Sequence, residues 1–285
     1  MKTVILTIMS AGLLLAGHTA LAQSALPVPE NSTVGELSAT TPHDCQEIGA
    51  RNANMLPLAG LCEFSQTFLQ KLPDFICQET TTEKKDPFAL VLDAQVTFLK
   101  GEEVYSHVTM NGKPLDDTNS AATDLMAFHS DGEFGLFLAN LFKPPIVARF
   151  KPAKSSNLDG LPVAVYDFDV PAEKAFWRVR DSKGHVVTPG IQGQIWIDRA
   201  TGRLLKLKLE PVDLPPGFEA TSVRTIIDYA PTSLGDAGVF VLPVRSETDV
   251  CGPWKNSQCP NHVMTFHDCQ KFAATTRIVA EAPEP

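Results

Sequence analysis

From Gln194 to Glu210 the chain reads Gln-Ile-Trp-Ile-Asp-Arg-Ala-Thr-Gly-Arg-Leu-Leu-Lys-Leu-Lys-Leu-Glu, an alternation that restricts it to a half-buried β-hairpin. Side chains in a strand switch sides at every residue. Ile195, Ile197, Leu205, Leu207 and Leu209 therefore fall on one face, and Gln194, Trp196, Lys206, Lys208 and Glu210 on the other. The connection fits a type I turn closed by a glycine bulge. Asp198 can accept from nearby backbone N–H groups, and Gly202 can take the positive φ that a branched residue resists. The two strands pair antiparallel, with one face dry and one largely wet.

Segments of the same kind fill most of the chain. Phe75 to Thr82, Phe88 to Lys100 and Glu102 to Asn111 read as a three-strand meander turning at Lys100-Gly101 and Asn111-Gly112. Ile146 to Lys151, Pro162 to Val170, Ala175 to Asp181, Ala220 to Tyr229, Val239 to Val250 and His262 to Val279 supply further strands. Two interruptions are helical. Between Cys45 and Leu72 the apolar residues Leu61, Phe64, Phe68, Leu69 and Leu72 recur at helical spacing until Pro73, and Pro57 divides the stretch into two pieces. Ser130-Asp-Gly-Glu133 reads as a capping box for a helix that lines up Phe134, Phe137, Leu138 and Leu141 and ends at Pro144-Pro145. With no βαβ alternation, the expected fold is α+β: a single curved antiparallel sheet, a half-barrel of about 10–12 strands, with helices packed on its concave face.

Met1 to Gly17 carries one basic residue and then an apolar run, followed by Ala20-Leu-Ala22. That is the pattern of a secretory signal peptide, residues 1–22. Residues 23–43 are polar and aperiodic and read as a flexible leader, 44–280 as a single domain, and 281–285 as a disordered tail. The domain, at roughly 240 residues, lies in the range of a single all-β domain. No apolar stretch after the signal reaches the length of about 20 residues that a membrane-crossing helix needs. The formal charge is −9, and it becomes −10 without Lys2, which argues against a general affinity for nucleic acid or anionic lipid. The expected location is the periplasm or the exterior.

Six cysteines in an exported chain are most simply three disulfides, with fifteen connectivities open. Cys251 to Cys259 has local support, because the seven residues between them form a loop joining two strand segments. For the other four, Cys45 to Cys62 and Cys77 to Cys269 are the expected pairs.

Motifs that would carry chemistry are missing from the sequence. It has no Gly-x-Ser-x-Gly, Ser-x-x-Lys, His-Glu-x-x-His, phosphate loop or calcium loop, and no cofactor is expected. Cys259, His262, His267 and Cys269 could together present four donors to zinc, but their spacing matches no familiar site, and disulfides take precedence in an oxidising compartment. A hydrolase would need His107, His129, His185, His262 or His267 brought by folding to a serine and a carboxylate.

Leu72-Pro-Asp-Phe-Ile-Cys77, Gly132-Glu-Phe-Gly135, the Trp196 strand, Leu242-Pro-Val-Arg-Ser-Glu247 and Phe266 to Phe272 resemble a family of uncharacterised secreted bacterial proteins. The order of helix, meander, helix and a long antiparallel run containing Gly193-Gln-Ile-Trp-Ile-Asp198 and Thr201-Gly-Arg-Leu-Leu205 is similar to the periplasmic lipoprotein carriers represented by LolA, LolB and RseB. That resemblance implies a half-open sheet around a hydrophobic cavity lidded by helices. It points to a non-enzymatic binder of a lipid, an acyl chain or a lipidated partner. The expected lining is Phe134, Phe137, Leu138, Leu141, Ile195, Ile197, Leu205 and Leu207. The alternatives are an envelope-assembly protein whose concavity is filled and which acts through its surface, and a hydrolase with an unrecognised site.

Overall fold

The computed structural model describes residues 41–85, 88–115, 133–146, 148–153, 156–181, 184–252 and 259–272. Helix α1 (Thr41–Arg51) and helix α2 (Leu56–Lys71) are joined by a 3₁₀ turn, Ala53–Met55. The break precedes Pro57: Asn52 leaves helical geometry and its side chain accepts from the Asn54 N–H at 2.8 Å. Pro57 then sits in the first turn of α2, where its missing N–H removes no hydrogen bond. Helix α1 begins inside the stretch read as a leader. A Cys45–Cys62 disulfide ties α1 to α2.

The strands are β1 (Phe75–Lys85), β2 (Phe88–Leu99), β3 (Glu102–Met110), β4 (Lys113–Pro114), β5 (Arg149–Pro152), β6 (Ser156–Leu158), β7 (Leu161–Val170), β8 (Val179–Arg180), β9 (Val186–Val187), β10 (Gly190–Asp198), β11 (Leu204–Val212), β12 (Ser222–Ser233), β13 (Val239–Cys251) and β14 (Asn261–Lys271). Twelve of them form one open antiparallel sheet in the order β4-β3-β2-β1-β14-β13-β12-β11-β10-β7-β5, with β6 also on β7. The last long strand therefore lies beside the first, and a Cys77–Cys269 disulfide crosses that seam. Cys251–Cys259 spans the β13–β14 connection next to the paired residues Asp249 and Asn261.

Three expectations need correction. Of the segment Ala175 to Asp181 only Val179–Arg180 is strand, and it pairs with β9 in a separate two-stranded ribbon. The inserted helix, α3, spans Leu136–Leu141, and its N-cap is Gly135 at φ 114°, so Glu133 stands before the helix rather than at its third position. Ser130 lies outside the described residues. The β10–β11 hairpin turns as expected, with Gly202 at φ 70° donating to the Asp198 carbonyl at 2.8 Å. A bulge nevertheless shifts the register from Trp196↔Lys206 to Ile197↔Leu204, so Leu204 is buried and Leu205 only half-buried.

The helices cover one face of the sheet, and that face is the core. Ile48, Leu58 and Leu61 of the helical pair and Phe137, Leu138 and Leu141 of α3 belong to one buried cluster with Ile191, Ile195, Ile197, Leu207, Leu209 and Ile227 of the sheet. Tyr166 on β7 donates its hydroxyl to the Asn54 carbonyl at 2.5 Å, pinning the helical layer to the strands. A second cluster joins Phe68 and Leu72 to Phe75, Val96, Phe98, Phe134 and Phe266. The opposite, wet face carries ion pairs such as Lys206–Asp228 and Lys208–Glu210, each at 2.9 Å, and Arg224–Asp249.

Candidate functional site

The residues expected to line a ligand groove are brought together from two layers, with two exceptions. Phe137, Leu138 and Leu141 of α3 meet the cluster that holds Ile195, Ile197 and Leu207. Phe134 belongs to the neighbouring cluster, and Leu205 is displaced by the bulge. All except Leu205 are at most 3% exposed, so this apolar space is closed by side chains. Grooves of about 580 and 380 Å³ lie elsewhere, over the wet face. The first is bordered by Glu210, Arg224 and Asp249, and the second by Arg149, Asp167, Gln194 and Lys208.

Beside the apolar core the concave face turns polar. On β1 the period of two places Phe75, Cys77, Glu79, Thr81 and Glu83 on the buried side. Phe75 stacks on Phe98 with ring centroids 5.1 Å apart, and Phe134 meets Phe75 and Phe266 edge-on at 5.2 and 4.8 Å. Glu79 follows that aromatic cluster at 4% exposure, and Glu133, next to Phe134, is 1% exposed. Thr81 donates to Glu79 Oε1 at 2.9 Å, while Glu79 Oε2 is buried with no hydrogen-bond partner. Ser246 on β13 donates to Glu133 Oε1 at 3.4 Å, and the Tyr229 hydroxyl of β12 to the Glu133 carbonyl at 3.2 Å. Burial pushes the Glu79 carboxyl up to about 7; the Thr81 hydrogen bond opposes this, the Glu133 charge adds to it, and the nearby Tyr105 hydroxyl opposes it again. Burial, with the charges of Glu133 and Glu103, also raises Tyr229 well above the ordinary phenol.

A buried polar row continues across four strands. The Thr225 and Thr248 hydroxyls are 2.9 Å apart, Thr248 pairs with His262, and His262 pairs with Glu83. Reading alternation by apolar residues alone passes over this row. The signal that would have found it is that Glu79 and Glu83 share the parity of Phe75 and Cys77.

Among the described residues the candidate histidines do not converge. His107 contacts Ser106 at 3.2 Å, His185 contacts Asp181 at 2.8 Å and His267 contacts Asp268 at 2.8 Å, at three separate places and with the rings exposed. His262 is buried in the row just described, and His129 lies outside the described residues. Cys259 and Cys269, the thiols a zinc site would need, are bonded to Cys251 and Cys77. Among the described residues no group of three or more His, Cys, Asp or Glu is arranged to hold a metal ion. None of the helices among them is long and apolar enough to cross a membrane. Three disulfides fit an oxidising, extracytoplasmic compartment.

No family model matches the chain, and no curated protein matches it. Solved structures similar to it include a LolA superfamily protein from Nitrosomonas europaea, at 11% identity and TM-score 0.35 over 74% of this chain and 94% of that one. A putative outer membrane lipoprotein-sorting protein domain from Vibrio parahaemolyticus is similar at 10% identity and TM-score 0.39, over 73% and 90%. A DUF1329 family protein from Desulfovibrio piger is similar at 8% identity and TM-score 0.39, over 77% and 95%. At such identities no residue's role passes from these chains to this one.

Proposed function

We propose that this is an exported, non-enzymatic binding protein that takes an apolar chain, a lipid acyl group or the acyl group of a lipidated partner, between its helical layer and the concave face of the sheet. The observation that carries this reading is the apolar surface contributed from both sides: Phe137, Leu138 and Leu141 of α3 against Ile195, Ile197 and Leu207. Ligand sites are mostly apolar with a few polar groups, and Thr225, Ser246, Thr248 and the buried carboxylates supply such groups along the same face. Because the space is filled, binding requires α3 to move off the sheet. A helix of six residues starting at a left-handed glycine has little stability of its own, which suits it to that movement. In this reading residues 1–22 direct export and are removed, the part of 23–43 that precedes helix α1 forms a leader, the domain up to 280 binds, and 281–285 are a tail, with the mature protein in the periplasm or outside the cell.

The near-zero exposure of the same residues favours a second reading, a solid-cored envelope protein acting through its wet face. Native mass spectrometry of protein isolated from its own host separates the two. The binding reading expects a mass increment of one lipid or acyl chain that organic extraction removes; unliganded protein throughout would support the solid-cored reading.

A further inference from the structure

We propose that Glu79 and Glu133 form a proton-dependent latch between strand β1 and the lead-in to α3, closed when they hold a proton between them and loosened when both are ionised. Two buried carboxylates from distant parts of the chain occupy the same side of the sheet, each nearly without solvent. Glu79 Oε1 accepts from Thr81, but the buried Oε2 has no hydrogen-bond partner, so a full charge there has too few donors to offset its burial. Two like charges in such a place cannot both be held cheaply.

The surroundings define what the latch holds. Phe266 pairs with Glu79 across β14 and β1 and meets Phe134 edge-on at 4.8 Å, which brings the adjoining Glu133 of the lead-in to α3 to the Glu79 side; Thr81 on its own strand and Tyr105 from β3 are the other groups that act on Glu79. Glu103 on β3 meets the Tyr105 hydroxyl at 3.4 Å, and Tyr229 of β12 feels both Glu133 and Glu103. Glu83, further along the buried side of β1, pairs with His262 of β14. On the helical side the anchor is short. Glu133 to Gly135 leads directly into α3, and Phe134 is wedged among Phe75, Phe98 and Phe266. Ionising Glu79 against Glu133 therefore acts on the residues that hold the α3 end of the helical layer against the sheet. A carboxyl held in its protonated form by the closed state, and returned to an ordinary value near 4.5 when opened to water, makes opening easier as pH rises from 4.5 to about 7, levelling off above that.

The inference concerns the unliganded protein and stands or falls apart from the ligand-binding reading. Backbone hydrogen exchange across residues 134–142, corrected for the intrinsic rate at each pH, reports the opening. Wild type is expected to show an opening constant that rises by about tenfold between pH 5 and 6.5 and is flat above pH 7.5. Glu79→Gln keeps the shape and removes the charge, and its segment should stay protected at every pH. A flat wild-type profile, or the wild-type slope persisting in Glu79→Gln, overturns the latch. Carbon-13 titration of the Glu79 carboxyl in wild type and Glu133→Gln is an independent check that does not need the Glu79→Gln variant to fold. A near-neutral midpoint that falls when Glu133 is neutralised supports the pairing, whereas a midpoint near 4.5, or one unmoved by Glu133→Gln, contradicts it.

Discussion

Single residues decide where this sheet can and cannot change. A Cβ added at Gly193 would lie 2.0 Å from the Lys208 carbonyl oxygen and 2.5 Å from the Phe168 ring, and the backbone oxygen cannot step aside. Gly193→Ala is expected to destabilise the fold by about 3 kcal/mol or more in urea unfolding. The bulge in the central hairpin gives a sharper contrast. Leu204→Ala should cost about 2–5 kcal/mol and Leu205→Ala less than about 1 kcal/mol, because only Leu204 is in the core. Alternation alone ranks Leu205 as the buried one. A bulge adds one residue to one strand without an apolar or polar signature, so the phase beyond it was not legible. Glu79 predicts the pH response. Its folded value of about 7 lies above the ordinary 4.5, so its contribution to stability is fully present below 4.5 and is lost as pH rises through 7, by about 3 kcal/mol in all. Urea unfolding at pH 5 and pH 8 should show that loss in wild type, and Glu79→Gln should remove most of the difference.

At the scale of elements, the disulfides do unequal work on the unfolded chain. Cys77–Cys269 closes a separation of 192 residues and Cys251–Cys259 one of 8. On the chain-entropy model these bridges contribute about 5.3 and about 2.5 kcal/mol, so replacing Cys77 and Cys269 by serine should lower stability by about 3 kcal/mol more than replacing Cys251 and Cys259. Paired thermal melts of the two double variants check the order. The strands were the readable elements. β10–β11 announces itself by alternation and by Gly202, and β1 to β3 by the turns at Gly101 and Gly112. α3 was readable as apolar but not in its start: Ser130 and Glu133 fit a capping box by type and spacing, yet Glu133 instead accepts from Ser246, a contact 113 residues away in sequence. Local propensity carries no information about such a partner. The short ribbon β8–β9 was hidden for a similar reason, since Trp177 and Val179 alternate like a longer strand but are used to pack against the core.

For the whole molecule the decisive feature is that one open sheet keeps its two faces chemically distinct. The wet face is laced with Lys, Arg, Asp and Glu pairs, and the concave face is apolar under the helices and polar toward β1, β12, β13 and β14. That division was legible in the hairpin. The polar part of the concave face was not, because buried carboxylates look like surface until the register is known. The central claim, that an apolar chain enters between the helical layer and the sheet, can be tested at a probe already in place. Trp177 packs edge-on against Phe137 of α3 with ring centroids 6.0 Å apart, and both are buried. Titrating the protein with a brominated fatty acid while following tryptophan fluorescence reports whether a chain reaches that point. Entry of a chain between the layers predicts saturable quenching at one chain per protein that disappears in Trp177→Phe; no quenching, or quenching of equal size in wild type and Trp177→Phe, would contradict it.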